Sequence, residues 1–197
     1  MNEDYFDLEA RLEDAREFHG ELCAGITVGT RMVLMGLKAI GIEDPKGRDR
    51  KKFMAFVETY RCPADALLAV AGRRPGKRTF RVIDYGKAAM TFVHLETGKA
   101  VRVSVNEKDD DKTQEITREM IERNPHTMEW ALQPEENLFE VREVKVDMKP
   151  EVLPGKPLRI VTCSVCGERV MDCREVRMDG KIYCGACVNG GGYYSLL

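Results

Sequence analysis

No apolar run in this chain approaches the roughly 18 residues needed to cross a bilayer, so no membrane-spanning segment is expected. An excess of one charge is also lacking: 31 Lys and Arg stand against 33 Asp and Glu, a formal net charge of −2. Without a basic surplus there is no global pull toward nucleic acid or anionic lipid. Dividing the chain does not change this, because residues 151–197 hold six basic and five acidic side chains. A finger that gripped duplex DNA by its phosphates would be far more basic, so nucleic acid is not an expected partner. The opening residues Met1–Glu9 are acidic and have no apolar h-region, so no secretory signal is expected either. Internal repeats and low-complexity tracts are absent. Gly72-x₃-Gly76-Lys77 has the wrong spacing for a phosphate-binding Walker A loop and is followed by Arg78. What is left, 43% apolar and 32% charged over 197 residues, describes a soluble globular protein of one ordinary domain plus a small module.

Cysteine is not scarce, and its placement is the strongest signal in the chain. Cys163-Ser164-Val165-Cys166 and Cys184-Gly185-Ala186-Cys187 are two Cys-x-x-Cys pairs separated by seventeen residues. Two residues between cysteines let one tight turn aim both sulfurs at a single ion, and this separation suits a hairpin that brings the second pair back to the first. Four thiolates around a tetrahedral Zn²⁺, with no open position, are the expected product: a site that holds a fold together and performs no chemistry. A disulfide framework would need export to an oxidising compartment, so reduced thiols in the cytoplasm are expected. Cys173, between the pairs, reads as a spare thiol of the hairpin, or as a replacement ligand if one of the four is misassigned.

The preceding residues mix helix and strand periodicities. Leu8–Phe18 places Leu8, Leu12, Ala15 and Phe18 on one helical face. After a break at residues 19–25 a second helix is predicted over about Ala24–Ile40, so apolar that it should be buried, with Gly41 ending it. Its Gly25, Gly29 and Gly36 would let another backbone approach. Phe53–Tyr60 reads as a central strand, and Pro63 as the first turn of a helix running to Ala71. Strands are predicted at Thr79–Tyr85, Ala88–Leu95 and Ala100–Val105, the last two joined by a hairpin at Glu96–Lys99. A polar helix is predicted over Lys112–Arg123, preceded by a solvated acidic loop at Glu107–Lys112, and a half-exposed strand over Leu138–Val146. The fold class is α+β, mixed helix and antiparallel sheet, without a regular βαβ winding. Residues 149–157, with three prolines and a glycine, mark a linker between a domain at 1–149 and a module at 158–197. That module is too short for an adequate core, so metal must supply the difference.

A second constellation lies in the larger domain. His19 and Cys23 sit four apart where a loop enters the second helix; Cys62 and Asp65 sit in a later strand-to-helix turn. Both cysteines fall near predicted helix N-termini, where free N–H groups favour a thiolate. Imidazole, thiolate and carboxylate converging from two loops would make a three-ligand centre with an open water position. The competing reading makes each an ordinary buried cysteine or a hydrogen-bonded histidine. His94 and His126 read as structural or solvent-facing.

At these residues the chain resembles the FmdE family, named after a component of formylmethanofuran dehydrogenase. The resemblance rests on Phe18-His19-Gly20-x-Leu22-Cys23-x-Gly25, Cys62-x₂-Asp65-Ala66, Gly72-x₃-Gly76-Lys77, Asp84-Tyr85-Gly86-Lys87 and Gly98-Lys99-Ala100-Val101-Arg102, in that order. It implies an FmdE-like α+β domain, often dimeric, followed in several members by a small Cys₄ finger, here treble-clef-like or ribbon-like. Departures from the pattern fall at Glu21, Ala24, Leu68, Arg73 and Arg74. Glu21, where the family commonly has histidine, could donate a carboxylate, giving a harder second metal site at His19, Glu21, Cys23 and Cys62. Arg73 and Arg74 beside Lys77 read either as an anion pocket or, preferably, as a solvated basic turn.

Three functions follow as expectations. The first is a metal-binding accessory or assembly protein of molybdenum/tungsten or one-carbon metabolism, homodimeric through the hairpin or the apolar helix, its zinc finger docking a protein partner. The second is an enzyme using His19, Glu21, Cys23, Cys62 and Asp65, with Lys77, Tyr85 or Lys87 nearby. The third, a regulator with its finger on nucleic acid, is disfavoured by the charge balance.

Overall fold

The structure, a computed structural model, describes residues 5–106, 119 and 126–194. The chain divides into two units, Met1–Asp147 and Met148–Leu197. The polar helix expected over Lys112–Arg123 and the acidic loop before it lie outside the described residues, apart from Glu119.

In the first unit, helix α1 spans Leu8–His19 and α2 spans Ala24–Ala39. Asp7 caps α1, its Oδ1 accepting from the Ala10 amide at 2.8 Å, and Gly20 ends it in the left-handed region at φ 94°. The break this creates puts His19 at the last position of α1 and Cys23 at the cap of α2. Helix α3, Cys62–Ala71, follows strand β1, Phe53–Val57, and begins with proline at its first turn as expected. Then come β2 (Phe80–Val82), β3 (Ala89–His94), β4 (Ala100–Val105), the short helices α4 (Thr127–Ala131) and α5 (Glu135–Leu138), and β5 (Phe139–Glu143).

The five strands form one sheet in the order β2-β1-β3-β4-β5. All pairs are antiparallel except β1–β2, which runs parallel around α3. One crossover therefore interrupts the antiparallel pattern expected from the sequence. It serves a purpose: a parallel return needs a helix between the strands, and that helix carries Cys62 and Asp65. Helices α1–α3 cover one face, where Phe53, Ala55 and Val57 of β1, Met90 and Phe92 of β3 and Val101 and Val103 of β4 join Ile26, Met32, Val33 and Leu37 of α2 in the core.

Helix α2 is buried along most of its length, as its composition requires. A Cβ at Gly29 would lie 2.7 Å from the Cα of Pro63, so this glycine sets the close approach of α2 to α3. At Gly36 it would meet the Phe92 ring at 2.1 Å; there the space is filled by an aromatic ring instead of backbone. Helix α2 is thus packed into the core of its own chain.

Two buried arginines hold the periphery. Arg31 of α2 donates to the Ala131 carbonyl at 2.6 Å and lies over the Phe139 ring. Arg73, expected in a solvated basic turn or an anion pocket, is buried and does neither. Left-handed Gly72 turns the chain inward, and the Arg73 guanidinium donates to the carbonyls of Pro45, Arg50, Phe53 and Ala71 while stacking on Phe53. Four carbonyls, from the loop before β1, the start of β1 and the end of α3, supply what an anion would otherwise provide. Burial lowers its pKa to about 10.

The second unit contains two hairpins, β6 (Ile160–Thr162) with β7 (Arg169–Met171) and β8 (Val176–Met178) with β9 (Lys181–Tyr183), then a four-residue helix α6, Gly185–Val188. The turn of the first hairpin carries one cysteine pair and the start of α6 carries the other, a treble-clef-like arrangement. Among the described residues of this unit, Cys163 alone is buried. Glu175, its side chain almost fully enclosed, pairs with Arg159 and Arg177 and ties the start of β6 to β8.

Candidate metal centres

Cys163, Cys166, Cys184 and Cys187 present their sulfurs within 4.8 Å of one another. Tight turns achieve this. Gly167 and Cys163 close the first turn through a 3.1 Å amide-to-carbonyl bond, and the Ser164 amide donates to the Ile182 carbonyl at 2.7 Å, which ties the turn to β9. Cys184 caps α6, its sulfur accepting from the Cys187 amide at 3.4 Å. A tetrahedron with metal–sulfur bonds of about 2.3 Å has edges of about 3.8 Å; Cys166 and Cys184 are 3.9 Å apart. Amides of Cys166, Val165 and Cys184 aimed at Cys163 lower its pKa to about 6, favouring the thiolate a metal needs. The neighbouring Cys184 sulfur, with burial after it, pushes the Cys187 thiol the other way, up to about 12. Cys173 sits in a tight turn at φ 58° and is outside the four-sulfur set.

The second cluster gathers His19, Cys23 and Cys62, again with ligand atoms within 4.8 Å. The Cys23 and Cys62 sulfurs are 3.7 Å apart, and His19 Nε2 is 3.9 Å from Cys23 Sγ. Asp65 does not join the set as a ligand. Its Oδ2 lies 2.8 Å from His19 Nδ1, which fixes the ring and leaves Nε2 facing the sulfurs. A carboxylate behind a ligating imidazole orients it and raises its basicity. Cys23 caps α2, its sulfur accepting from the Ile26 amide at 3.4 Å. Gly25 makes the space: a Cβ there would lie 3.0 Å from Cys62 Sγ. All three candidate ligands are partly exposed, so the set can be reached from solvent.

Two expectations about this cluster need correction. Glu21 is exposed and outside the set, so the donor group is sulfur-rich and softer than a carboxylate ligand would make it. Cys62 stands at the first turn of α3, yet its pKa is raised: burial dominates, with the Cys23 sulfur next, and together they outweigh the helix terminus.

The other candidates fall elsewhere. Lys77 is exposed in a one-turn 3₁₀ helix at Pro75–Lys77, and Tyr85 is exposed with the Lys87 ammonium 5.9 Å from its ring centroid. No hydrogen bond among the described residues joins Lys77, Tyr85 or Lys87 to the cluster. Lys87 instead lines an open cavity of about 320 Å³ with Arg102 and Ser104, where Arg102 is held by a two-pronged ion pair to Glu58 at 2.7 and 2.9 Å. Sequence reasoning missed Glu58 and Arg102 as a pair; only strand register shows that Glu58, just beyond β1, and Arg102 on β4 reach each other. His94 accepts from the amides of Glu96 and Thr97 in its own hairpin turn, and exposed His126 pairs with Glu129.

Comparison with known proteins agrees with this fold. A crystal structure of a tungsten formylmethanofuran dehydrogenase FmdE-like protein from Syntrophus aciditrophicus superposes with a TM-score of 0.60, at 25% identity over 95% of each chain. A probable S-adenosyl-L-methionine-binding protein from Archaeoglobus fulgidus is 27% identical over 195 residues, 93% of this chain. This chain spans about half, 53%, of that relative's length. The pattern of the family described as FmdE, molybdenum formylmethanofuran dehydrogenase operon, matches residues 18–151, which include His19, Cys23, Cys62 and Asp65. The chain belongs to the FmdE family.

Proposed function

We propose that this is a two-centre metal-binding protein: a closed structural zinc site in the C-terminal unit and an open, exchangeable divalent ion at His19, Cys23 and Cys62. Its role is that of an accessory or assembly protein in molybdenum/tungsten or one-carbon metabolism. The observation that carries the reading is the second cluster: two sulfurs 3.7 Å apart, an imidazole nitrogen 3.9 Å from one of them, and Asp65 bonded behind the ring. Three protein ligands with an exposed side are the pattern of a reactive centre, whereas four thiolates are that of a structural one. Bound there, a divalent ion would supply a Lewis acid and a water of lowered pKa. The chain's own residues do the rest: Asp65 orients the imidazole, the Ile26 amide steadies Cys23, and Gly25 admits Cys62. Both centres need reduced thiols, which fits a cytoplasmic setting. A homodimer would use the β3–β4 hairpin, since α2 is buried.

Metal analysis by mass spectrometry, on protein purified without added metal, tests this. We expect two ions per chain, one lost in Cys23→Ala and in Cys62→Ala, the other lost in Cys184→Ala. A single ion that persists in Cys23→Ala and Cys62→Ala overturns the second centre.

One observation favours an added organic ligand. Phe18, Leu22 and Tyr60 are 56%, 43% and 73% exposed, and each lies within two positions of a ligand residue. These exposed apolar residues next in sequence to the cluster, together with the description of the Archaeoglobus fulgidus relative as a probable S-adenosyl-L-methionine-binding protein, support S-adenosylmethionine as that ligand. Calorimetry with S-adenosylmethionine should show binding weakened by Tyr60→Ala; absence of heat at millimolar ligand removes this reading.

A further inference from the structure

The two sulfurs of the open cluster come from distant parts of the chain. Cys23 caps α2 and Cys62 opens α3, 39 positions apart, yet their Sγ atoms are 3.7 Å from each other. A disulfide needs about 2.05 Å between sulfurs. The sulfurs must therefore approach by about 1.6 Å, and both belong to side chains that can turn about χ1. Both residues are partly exposed, so a small oxidant can reach them. Gly25 keeps the space between them clear, because a Cβ there would stand 3.0 Å from Cys62 Sγ and 3.8 Å from Cys23 Sγ. His19 Nε2, freed as an acceptor when Nδ1 donates to Asp65, lies 3.9 Å from Cys23 Sγ, where it can take the thiol proton.

We infer that Cys23 and Cys62 are a reversible disulfide-forming pair, so that the open metal centre is also a thiol modification site, unloaded when the two ligands are joined. The co-reactant is a small-molecule disulfide. The Cys23 thiolate attacks one of its sulfurs, forming a mixed disulfide and releasing one small thiolate. Cys62 then attacks Cys23 Sγ and expels the second. Two thiol protons and two electrons leave the protein, one sulfur–sulfur bond forms within it, and one disulfide becomes two thiols. A dithiol reductant runs the sequence backwards. The consequence for metal rests on the two-centre reading above; the bond itself does not.

The four sulfurs of the other cluster are as near one another, but an ion bound by all four thiolates would engage one pair of each sulfur, leave no free thiol and so lower their nucleophilicity toward a disulfide. Oxidation should therefore discriminate between the clusters.

Full-length protein, as purified with its metals, is incubated with glutathione disulfide, trapped with an alkylating agent and digested, and its peptides are mapped by mass spectrometry. The expected result is a linked pair containing Cys23 and Cys62, with Cys163, Cys166, Cys184 and Cys187 alkylated only after unfolding. Gly25→Ala, which crowds Cys62, should slow the linkage by on the order of tenfold. Separate glutathione adducts on Cys23 and Cys62 with no linked peptide, or linkage confined to the C-terminal cysteines, overturns the inference. Parallel metal counts keep the two questions apart. Linkage with release of one ion supports both proposals; linkage in protein that never held a second ion supports the pair and rejects the open metal centre.

Discussion

Cys23 and Cys184 do the same local job: each caps a helix, its sulfur accepting the amide of the residue three positions on at 3.4 Å. What surrounds them differs completely. Around Cys184 are two short hairpins whose strands are mostly exposed and a four-residue helix, with Cys163 the one buried residue among those described. Around Cys23 are three helices and five strands packed on a continuous apolar core. A unit without a core has only metal to offset its chain entropy; a unit with a core can place ligands and leave one side open. The ligand count follows from that. In the proposed two-centre reading, four thiolates would saturate the ion that holds the finger, and three ligands would suffice where the scaffold stands by itself.

The largest expected effect breaks the comparison at its weaker end. Cys184→Ser, or chelation, should unfold residues 148–197, because structural zinc contributes on the order of 10–16 kcal/mol to such modules. The Met1–Asp147 unit should keep its structure. Limited proteolysis followed by mass spectrometry reads both at once, and a C-terminal unit that resists protease without metal would show that its hairpins have a source of stability not visible in their burial.

The next effect addresses the other scaffold. Phe92 is fully buried and its ring occupies the space beside Gly36. Phe92→Ala should cost about 3–5 kcal/mol by opening a cavity between α2 and the sheet. Thermal unfolding of the first unit should shift strongly while the finger's metal content stays unchanged. Coupled loss of finger metal would show that the units are not independent.

Smaller still, Asp65→Asn should weaken metal at the open centre by roughly 10–100-fold without altering the fold, since it removes the charge behind His19 but keeps the shape. Competition with a calibrated chelator measures this. An unchanged affinity would mean that the His19 ring is held by packing alone.

The contrast between the units was partly legible in the sequence, and the limits are physical. Caps, helix ends and the Glu96–Lys99 hairpin follow local rules, and α1, α2, β3 and β4 lie where those rules put them, within a residue or two. His19, Cys23 and Cys62 were readable as candidates because each sits at a break between periodic segments. Glu21 was misjudged because sequence position gives no side-chain direction: it lies between two ligand residues and still faces solvent. Arg73 was misjudged for a related reason. Charge predicts exposure only until a loop presents several unpaired carbonyls, and no local pattern reveals that the Pro45, Arg50 and Phe53 carbonyls meet it. The parallel return of β2 was equally hidden, since three-residue strands carry too little periodicity to fix their direction.

The smallest effect sharpens the comparison in acid, where any metal held by thiolates and imidazole would be released as those groups are protonated. The first unit has an acid response unrelated to metal. Asp49, in the loop before β1, has a nearly buried side chain; burial alone would raise its pKa, but the Lys52 ammonium at 2.8 Å and the amides of Glu43 and Asp44 outweigh it and hold the carboxyl at about 2, below its ordinary 3.8. A depressed folded pKa means that the unfolded chain takes up the proton first. The stabilisation is therefore complete above about pH 3.8 and is lost as the pH falls toward 2. In metal-free protein, the first unit should lose stability over that window, and Asp49→Asn should flatten the slope there while lowering stability at neutral pH. Denaturant melts of chelated wild type and variant across the window measure both. Parallel slopes would mean that the Lys52 pair opens before the carboxyl titrates, and that the acid response of this unit lies in other carboxylates.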